Sequence, residues 1–299
     1  MIYNVKQVIP EGIKLIWKNN KFVYLFWLTN IVFAIVLSLP IYYILEDNLL
    51  HSTYGQKLSF TFDYVWYLQL QQLYKHNIGV QQYIIYGTVG VYVLIQVFYL
   101  AGLTSVFNNP KKNHYVDFFY GAVKFWYRFT KVLLISLVFY AIAFVINDYL
   151  GILLTYLFSE SENRSMEFIL RTSRYLLLIF LIGTVSIISD YTKVSLAITD
   201  REKVLREIGN TLRFLKKNFY QVFIVFFIVA LFGAVGSIVY NIVDSFIPKT
   251  SFIYFLLAFI LQQLLIIFRL LVRMLFCSTE IINYKDLNTI VSDVQVEEV

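Results

Sequence analysis

The sequence predicts an all-α, polytopic membrane protein: six transmembrane helices as three hairpins, each preceded by a cytoplasmic amphipathic helix. Three observations predict it. Of 299 residues, 59% are hydrophobic and only 15% charged, and the mean hydropathy is +0.67, whereas soluble domains run at ~45–50% apolar and ~25% charged. Six windows reach the ~20 apolar residues a spanning helix needs. Basic, aromatic stretches precede the first, third and fifth of them. The apolar runs are long and continuous, which argues against a β-barrel, whose strands read as short alternating segments.

In order, residues 1–21 are mixed and basic, without the short apolar stretch and small-residue cleavage site of a signal peptide, so window 22–45 reads as a retained first span. A long outer loop, 46–76, carries Phe60, Phe62, Tyr64, Trp66, Tyr67 and Tyr74, and predicts an outer interfacial helix over roughly 62–76. Spans two to six are 77–110, 132–158, 175–198, 218–243 and 252–277. The prolines, at 10, 40, 110 and 248, fall in loops or near span ends on this reading, away from the mid-span breaks that transporters carry.

Lysine and arginine set the orientation. Nineteen of the 25 basic residues fall on the side that holds both termini and the 2–3 and 4–5 loops. Both termini are therefore expected in the cytoplasm, and the membrane to be a bacterial inner membrane. The net charge of +6 sits on that face and suits an anionic leaflet; no basic domain exists for nucleic acid.

The three basic stretches resemble one another. Each opens on a glycine (Gly12, Gly121 or Gly209), continues with aromatic and apolar residues among lysines and arginines, and leads into a span. In the second, Val116, Phe119, Tyr120, Val123, Trp126 and Tyr127 recur at helical spacing. In the third, Thr199 and Glu202 fit a capping box. Such helices lie in the membrane interface. One membrane domain over 1–299 results, with repeats of about 3–110, 111–198 and 199–285 and a cytoplasmic tail over 286–299.

Charged groups inside spans are costly and are the first candidates for function. Asp190 and Lys193 share a face of span four; Arg269 and Arg273 share one of span six. Asp190 and Arg269 fall at matching depth, so an Asp190–Arg269 ion pair is expected, with Gln96, Gln262 and Gln263 as polar neighbours of the network. Three readings stay open: a pair that pins two spans, an inner-leaflet pocket for a lipid headgroup or other anion, or a proton relay. Small residues at Ala230, Gly233, Ala234 and Ser237 permit a close helix approach, within the chain or to a second copy.

No nucleophile motif, phosphate-binding loop or dinucleotide fingerprint is present. Glu46, Asp47, His51, Asp63 and His76 share the outer loop at spacings that match no metal motif. The sequence thus predicts no catalytic residue, metal or cofactor. Cys277, the single cysteine, is expected to pack rather than react.

The stretch Asp190-Tyr-Thr-Lys-Val-Ser195, the basic helix over 199–219 and the run from Gln262 to Arg273 resemble a broad group of uncharacterised six-span bacterial membrane proteins. That group is similar to the membrane domain of some glycerophosphodiester phosphodiesterases. The resemblance implies the architecture and a link to membrane lipids, and names no catalytic residue. The leading expectation is a non-enzymatic protein that binds lipids, anionic ones included, or a membrane partner at the cytoplasmic leaflet. The alternative is a small-molecule or lipid transporter with a cavity among the hairpins.

Overall fold

The computed structural model describes residues 5–50, 55, 58, 63–109, 114–158, 164–248 and 252–297. His51, Phe60, Phe62 and Pro110 lie outside them, as does the side chain of His76. The described elements are all helices: α1 (Val5–Lys18), α2 (Lys21–Leu49), α3 (Tyr64–Leu73), α4 (Lys75–Asn108), α5 (Tyr115–Leu157), α6 (Arg164–Thr199), α7 (Val204–Ser245) and α8 (Phe252–Glu297). Among the described residues, six helices are long and apolar enough to cross a membrane: α2, α4, α5, α6, α7 and α8. The chain is an all-α polytopic membrane protein. The outer-loop helix forms as α3, and Asp63 caps it: its Oδ1 accepts from the amides of Val65 and Trp66 at 3.0 and 3.1 Å.

The long helices pair as three antiparallel hairpins. Along α2 and α4, Thr29 bonds Tyr99 at 2.8 Å and Tyr92 donates to Asn30 at 2.7 Å. Along α5 and α6, Ser136 meets Ser189 and Arg171 reaches Thr155, both at 3.3 Å. Along α7 and α8, the Phe232 ring packs on Phe268 at 5.5 Å, and a side chain at Gly236 would run into the Phe268 ring at 2.1 Å. Gly233 faces Val272, so the small residues of α7 serve a contact within the chain, while Ala234 is exposed.

The chain divides into two compact units. The first comprises residues 1–15, 100–228 and 275–299; the second, 16–99 and 229–274. In the first unit, two of the repeat glycines permit close approaches. A Cβ on Gly12 would fall 2.9 Å from the Thr279 methyl, and one on Gly121 only 2.2 Å from the Ser105 Cβ, whereas one on Gly209 meets nothing within 4 Å.

Three sequence expectations need correction. Thr199 caps nothing: it is the last residue of α6, its hydroxyl donates back to Ser195 O at 2.7 Å, and α7 begins only at Val204. The chain reverses instead at Asp200, whose φ of 50° is left-handed, a conformation that aspartate tolerates better than most residues. Pro10 and Pro40 sit inside α1 and α2. In lipid, a proline forfeits one backbone bond, whereas breaking the helix would expose several, so the helix continues through it.

The third concerns the boundaries between basic stretch and span. α1 is separated from α2 by Asn19 and Asn20. α7 kinks at Asn218, where backbone angles leave the helical region, and the Asn218 amide donates to the Phe214 carbonyl at 3.2 Å. The second stretch is continuous with its span: α5 runs unbroken for 43 residues, roughly 65 Å at ~1.5 Å per residue, about twice the ~30 Å hydrocarbon core.

Candidate functional site

Buried polar side chains of the first unit gather where α6 ends, α7 begins and α8 runs on past its span. α7 presents Val204, Glu207, Thr211 and Leu215 on one buried stripe, at the i, i+3, i+7 spacing of a helix face. Glu207, only 1% exposed, is the polar member that organises the rest. Its Oε1 accepts the Ser195 hydroxyl, and its Oε2 accepts Arg201 at 3.2 Å and Asn210 at 3.1 Å. With its proton committed to Glu207, the Ser195 hydroxyl accepts from Tyr284 on α8 at 2.7 Å. Asn283, next to Tyr284, donates to the Tyr191 hydroxyl at 2.9 Å and accepts from Gln221 at 3.4 Å. The rings of Tyr191, Phe214 and Tyr284 pack together, Phe214 and Tyr284 at 4.9 Å. The carboxylate thus ties α7 to α6, and α8 joins through the Ser195–Tyr284 bond. Ser195 is buried, and both of its bonds are to side chains of the knot.

One turn before this knot, Lys193 bonds Asp190 at 2.7 Å, and Ser186 donates to the other carboxylate oxygen at 3.3 Å. Glu280 on α8 is buried within electrostatic reach of both, and its Oε1 has no hydrogen-bond partner. Outside the knot, Lys124 and Arg128 of α5 grip Asp200 at 2.6 and 2.9 Å, and Arg128 also donates to the Arg201 carbonyl at 3.1 Å. These cations hold the Asp200 carboxyl below its ordinary range, the Lys124 hydrogen bond being the largest cause.

The second unit holds its spans with a different polar set. Trp27 donates to Gln263 at 3.0 Å, and Arg273 donates to the side-chain oxygen of Gln96. Of the six predicted residues, the structure therefore joins Asp190 to Lys193 and Arg273 to Gln96. Arg269 and Gln262 are exposed on one face of α8, seven residues apart; the glutamine that bonds across to α2 is the neighbour, Gln263. The expected Asp190–Arg269 pairing joins residues of different units; within its own unit, Asp190 is bonded to Lys193 and Ser186.

Glu207, Ser195, Tyr284 and Glu280 escaped the sequence reading. Glu207 looked like one more charge in a basic stretch, and only its register with Val204, Thr211 and Leu215 marks it as buried. Tyr284 and Glu280 lie beyond the apolar window of span six, in helix that charge alone assigns to the aqueous side.

Three basic segments leave apolar side chains uncovered. In α5, Phe118, Ala122, Phe125 and Phe129 are buried, while Val116, Tyr120, Val123 and Tyr127 project, exposed, from the opposite side. Asp117, Lys124, Arg128 and Lys131 occupy the arc between them, and the Lys131 ammonium lies 4.2 Å from the Tyr127 ring centroid. In α1, Val8, Gly12 and Ile16 face in while Ile13, Lys14 and Trp17 face out; in α7, Leu205, Leu212 and Tyr220 are exposed beside Arg206, Arg213, Lys216 and Lys217.

The class these features define is a six-span α-helical integral membrane protein. No protein-family model, curated protein or solved structure matches the chain.

Proposed function

We propose that this is a non-enzymatic membrane protein that gathers anionic lipid at one leaflet, the one the distribution of lysine and arginine assigns to the cytoplasm. The observation that carries the reading is the doubly apolar first half of α5. One face is packed on protein. The opposite face, Val116–Tyr120–Val123–Tyr127, is exposed and aromatic. Burying an apolar surface is worth ~25 cal/mol per Å², so a face of this kind in water would be a standing loss; tyrosine and tryptophan find their preferred level among lipid headgroups. The cations beside it then meet headgroup phosphates, at ~1 kcal/mol each. A recess between α5, α6 and α7, lined by Val132, Phe139, Ile188 and Leu212 with the hydroxyls of Ser136, Ser189 and Thr192, fits an acyl chain. The resemblance to lipid-linked membrane domains points the same way.

A transporter of small molecules or lipids is the second reading. Pro40 lies inside the span α2, which stays helical through it, so it supplies no broken helix of the kind that accompanies substrate sites.

The test is electron spin resonance of spin-labelled lipids with the protein in bilayers. Phosphatidylglycerol should be immobilised in preference to phosphatidylcholine. The preference should shrink with salt and in the double variant Lys216→Gln/Lys217→Gln. Equal immobilisation of the two lipids at low salt rejects the reading.

A further inference from the structure

The α5–α6 hairpin opens into a cleft at the end of its spans away from the basic segments. The cleft measures about 620 Å³, within the ~300–1,000 Å³ of small-molecule sites. On α5 its lining residues Asp148, Gly151 and Thr155 recur at i, i+3 and i+7, one face of the helix. On α6 Arg171 and Arg174 line it from the other side, three residues apart. Glycine is required at 151: a Cβ there would overlap the Arg174 guanidinium.

The charges of this cleft are balanced but not joined. Arg171 is already neutralised, because Glu167 holds it at 2.7 Å, and it donates to the Thr155 hydroxyl at 3.3 Å. Arg174 donates to the Tyr175 hydroxyl at 2.8 Å and lies 4.7 Å from the centroid of that ring; among the described residues it has no carboxylate partner. Asp148 is exposed, and among the described residues its carboxylate has neither an ion pair nor a hydrogen bond. One carboxylate and one guanidinium thus line the same open cleft, and neither meets an opposite charge. An anion drawn to Arg174 would be repelled by Asp148, and a cation drawn to Asp148 would be repelled by Arg174. A molecule carrying both signs satisfies both groups.

Their order in depth narrows the ligand. Asp148 lies three residues nearer the middle of its span than Gly151 and the guanidinium packed on it, about 4.5 Å along the axis. In a zwitterionic phospholipid the phosphate sits between the chains and the ammonium, so its charges arrive in the reverse order. A zwitterion entering from water can present its ammonium first.

We propose that this cleft binds a water-soluble zwitterion, its ammonium on Asp148 and its carboxylate or phosphate on Arg174. The site lies at the opposite end of the spans from the basic aromatic faces and is independent of the lipid-gathering reading.

The experiment titrates the full chain in dodecyl maltoside with O-phosphoethanolamine and with γ-aminobutyrate, followed by calorimetry and by the thermal midpoint. Ethanolamine, inorganic phosphate and butyrate serve as ligands of a single sign. At least one zwitterion should bind more tightly than the single-sign ligands: phosphoethanolamine alone names a phosphate as the anionic end, and γ-aminobutyrate alone names a carboxylate. Asp148→Asn should weaken that binding roughly tenfold or more, the effect of losing a charge-assisted bond, and should improve binding of inorganic phosphate or butyrate. Asp148 is exposed and unpaired, so its variant keeps the fold and the test does not depend on Arg174→Gln, which should lose the zwitterion as well. No binding of either zwitterion at millimolar concentration, equal binding of the single-sign ligands, or unchanged affinity in Asp148→Asn overturns the proposal. A parallel arm adds phosphatidylethanolamine and counts retained lipids by native mass spectrometry. Retention that Asp148→Asn abolishes, with both free zwitterions inert, would place a lipid headgroup in the cleft and also overturn it.

Discussion

Replacing Glu207 with glutamine should destabilise the protein more than any other single charge removal in the α6–α7 turn. The carboxylate accepts three side-chain donors, from Ser195, Arg201 and Asn210. Glutamine keeps one oxygen and turns an NH₂ group toward the rest. If the oxygen stays with Ser195, the donors of Arg201 and Asn210 face another donor. Arg201 has a side chain 57% exposed and can rehydrate at little cost, so most of the penalty falls on Asn210 and on the weakened Ser195 bond. A buried donor left unsatisfied costs ~1–3 kcal/mol, which puts the total at about 2–4 kcal/mol. At roughly 2–4 °C per kcal/mol for large domains, the unfolding midpoint should fall by about 4–16 °C. The assay is thermal unfolding followed by size exclusion in one detergent. The control is Glu202→Gln, a neighbouring acid whose side chain is 86% exposed and whose removal should shift the midpoint by little. A Glu207→Gln protein as stable as Glu202→Gln would refute the knot as the organiser of this end of the molecule.

Two further outcomes follow. Gly121→Ala should lower the yield of folded protein, because its Cβ would strike the Ser105 side chain at 2.2 Å, whereas Gly209→Ala meets nothing within 4 Å and should stabilise by about 0.5–1 kcal/mol through helix propensity; paired thermal scans decide, and equal effects would contradict the packing. The α6–α7 turn should loosen in acid. A carboxyl whose folded pKa is depressed, as that of Asp200 is by Lys124 and Arg128, stabilises above its unfolded pKa of about 3.9 and loses that contribution as pH falls through the lower folded value. A spin label at Lys203→Cys should keep constant mobility from pH 7 to 5 and gain it below about pH 4, and Asp200→Asn should be mobile throughout; a pH-independent wild type would contradict the clamp.

Much of the fold is legible because lipid leaves a helix few alternatives: uncharged runs such as 22–45 and 218–243 must be helical to satisfy their backbone, and the even–odd alternation of basic flanks predicts hairpins. Boundaries are less legible. α5 passes from its basic stretch into its span without a break, because no proline, glycine or asparagine falls between Ala122 and Ile146, while the equivalent junction in α7 turns at Asn218. Thr199 and Glu202 carry the letters of a capping box, but the Thr199 hydroxyl is satisfied by the turn behind it, a competition that a motif does not record. Among the candidate residues, the rule that intramembrane charges matter singles out Asp190, Lys193 and Arg273, and in the structure Lys193 bonds Asp190 and Arg273 bonds Gln96. It gives no weight to the i, i+3 lysine, which reaches Asp190 without any tertiary geometry. Glu207 is invisible to that rule, since it lies in the basic segment of α7, before the apolar window of span five.

The level of Trp126 in the bilayer tests the account most directly. Trp126 lies in the basic half of α5, beside the exposed Val123 and Tyr127. With Trp17, Trp27 and Trp66 replaced by phenylalanine, its fluorescence can be quenched by lipids brominated at successive acyl positions and, separately, by aqueous iodide. A segment lying in the interface predicts strong quenching by bromines near the ester groups, weaker quenching by those near the chain ends, and little by iodide. Quenching by iodide alone would place the aromatic face of α5 in water and contradict the proposed association with lipid.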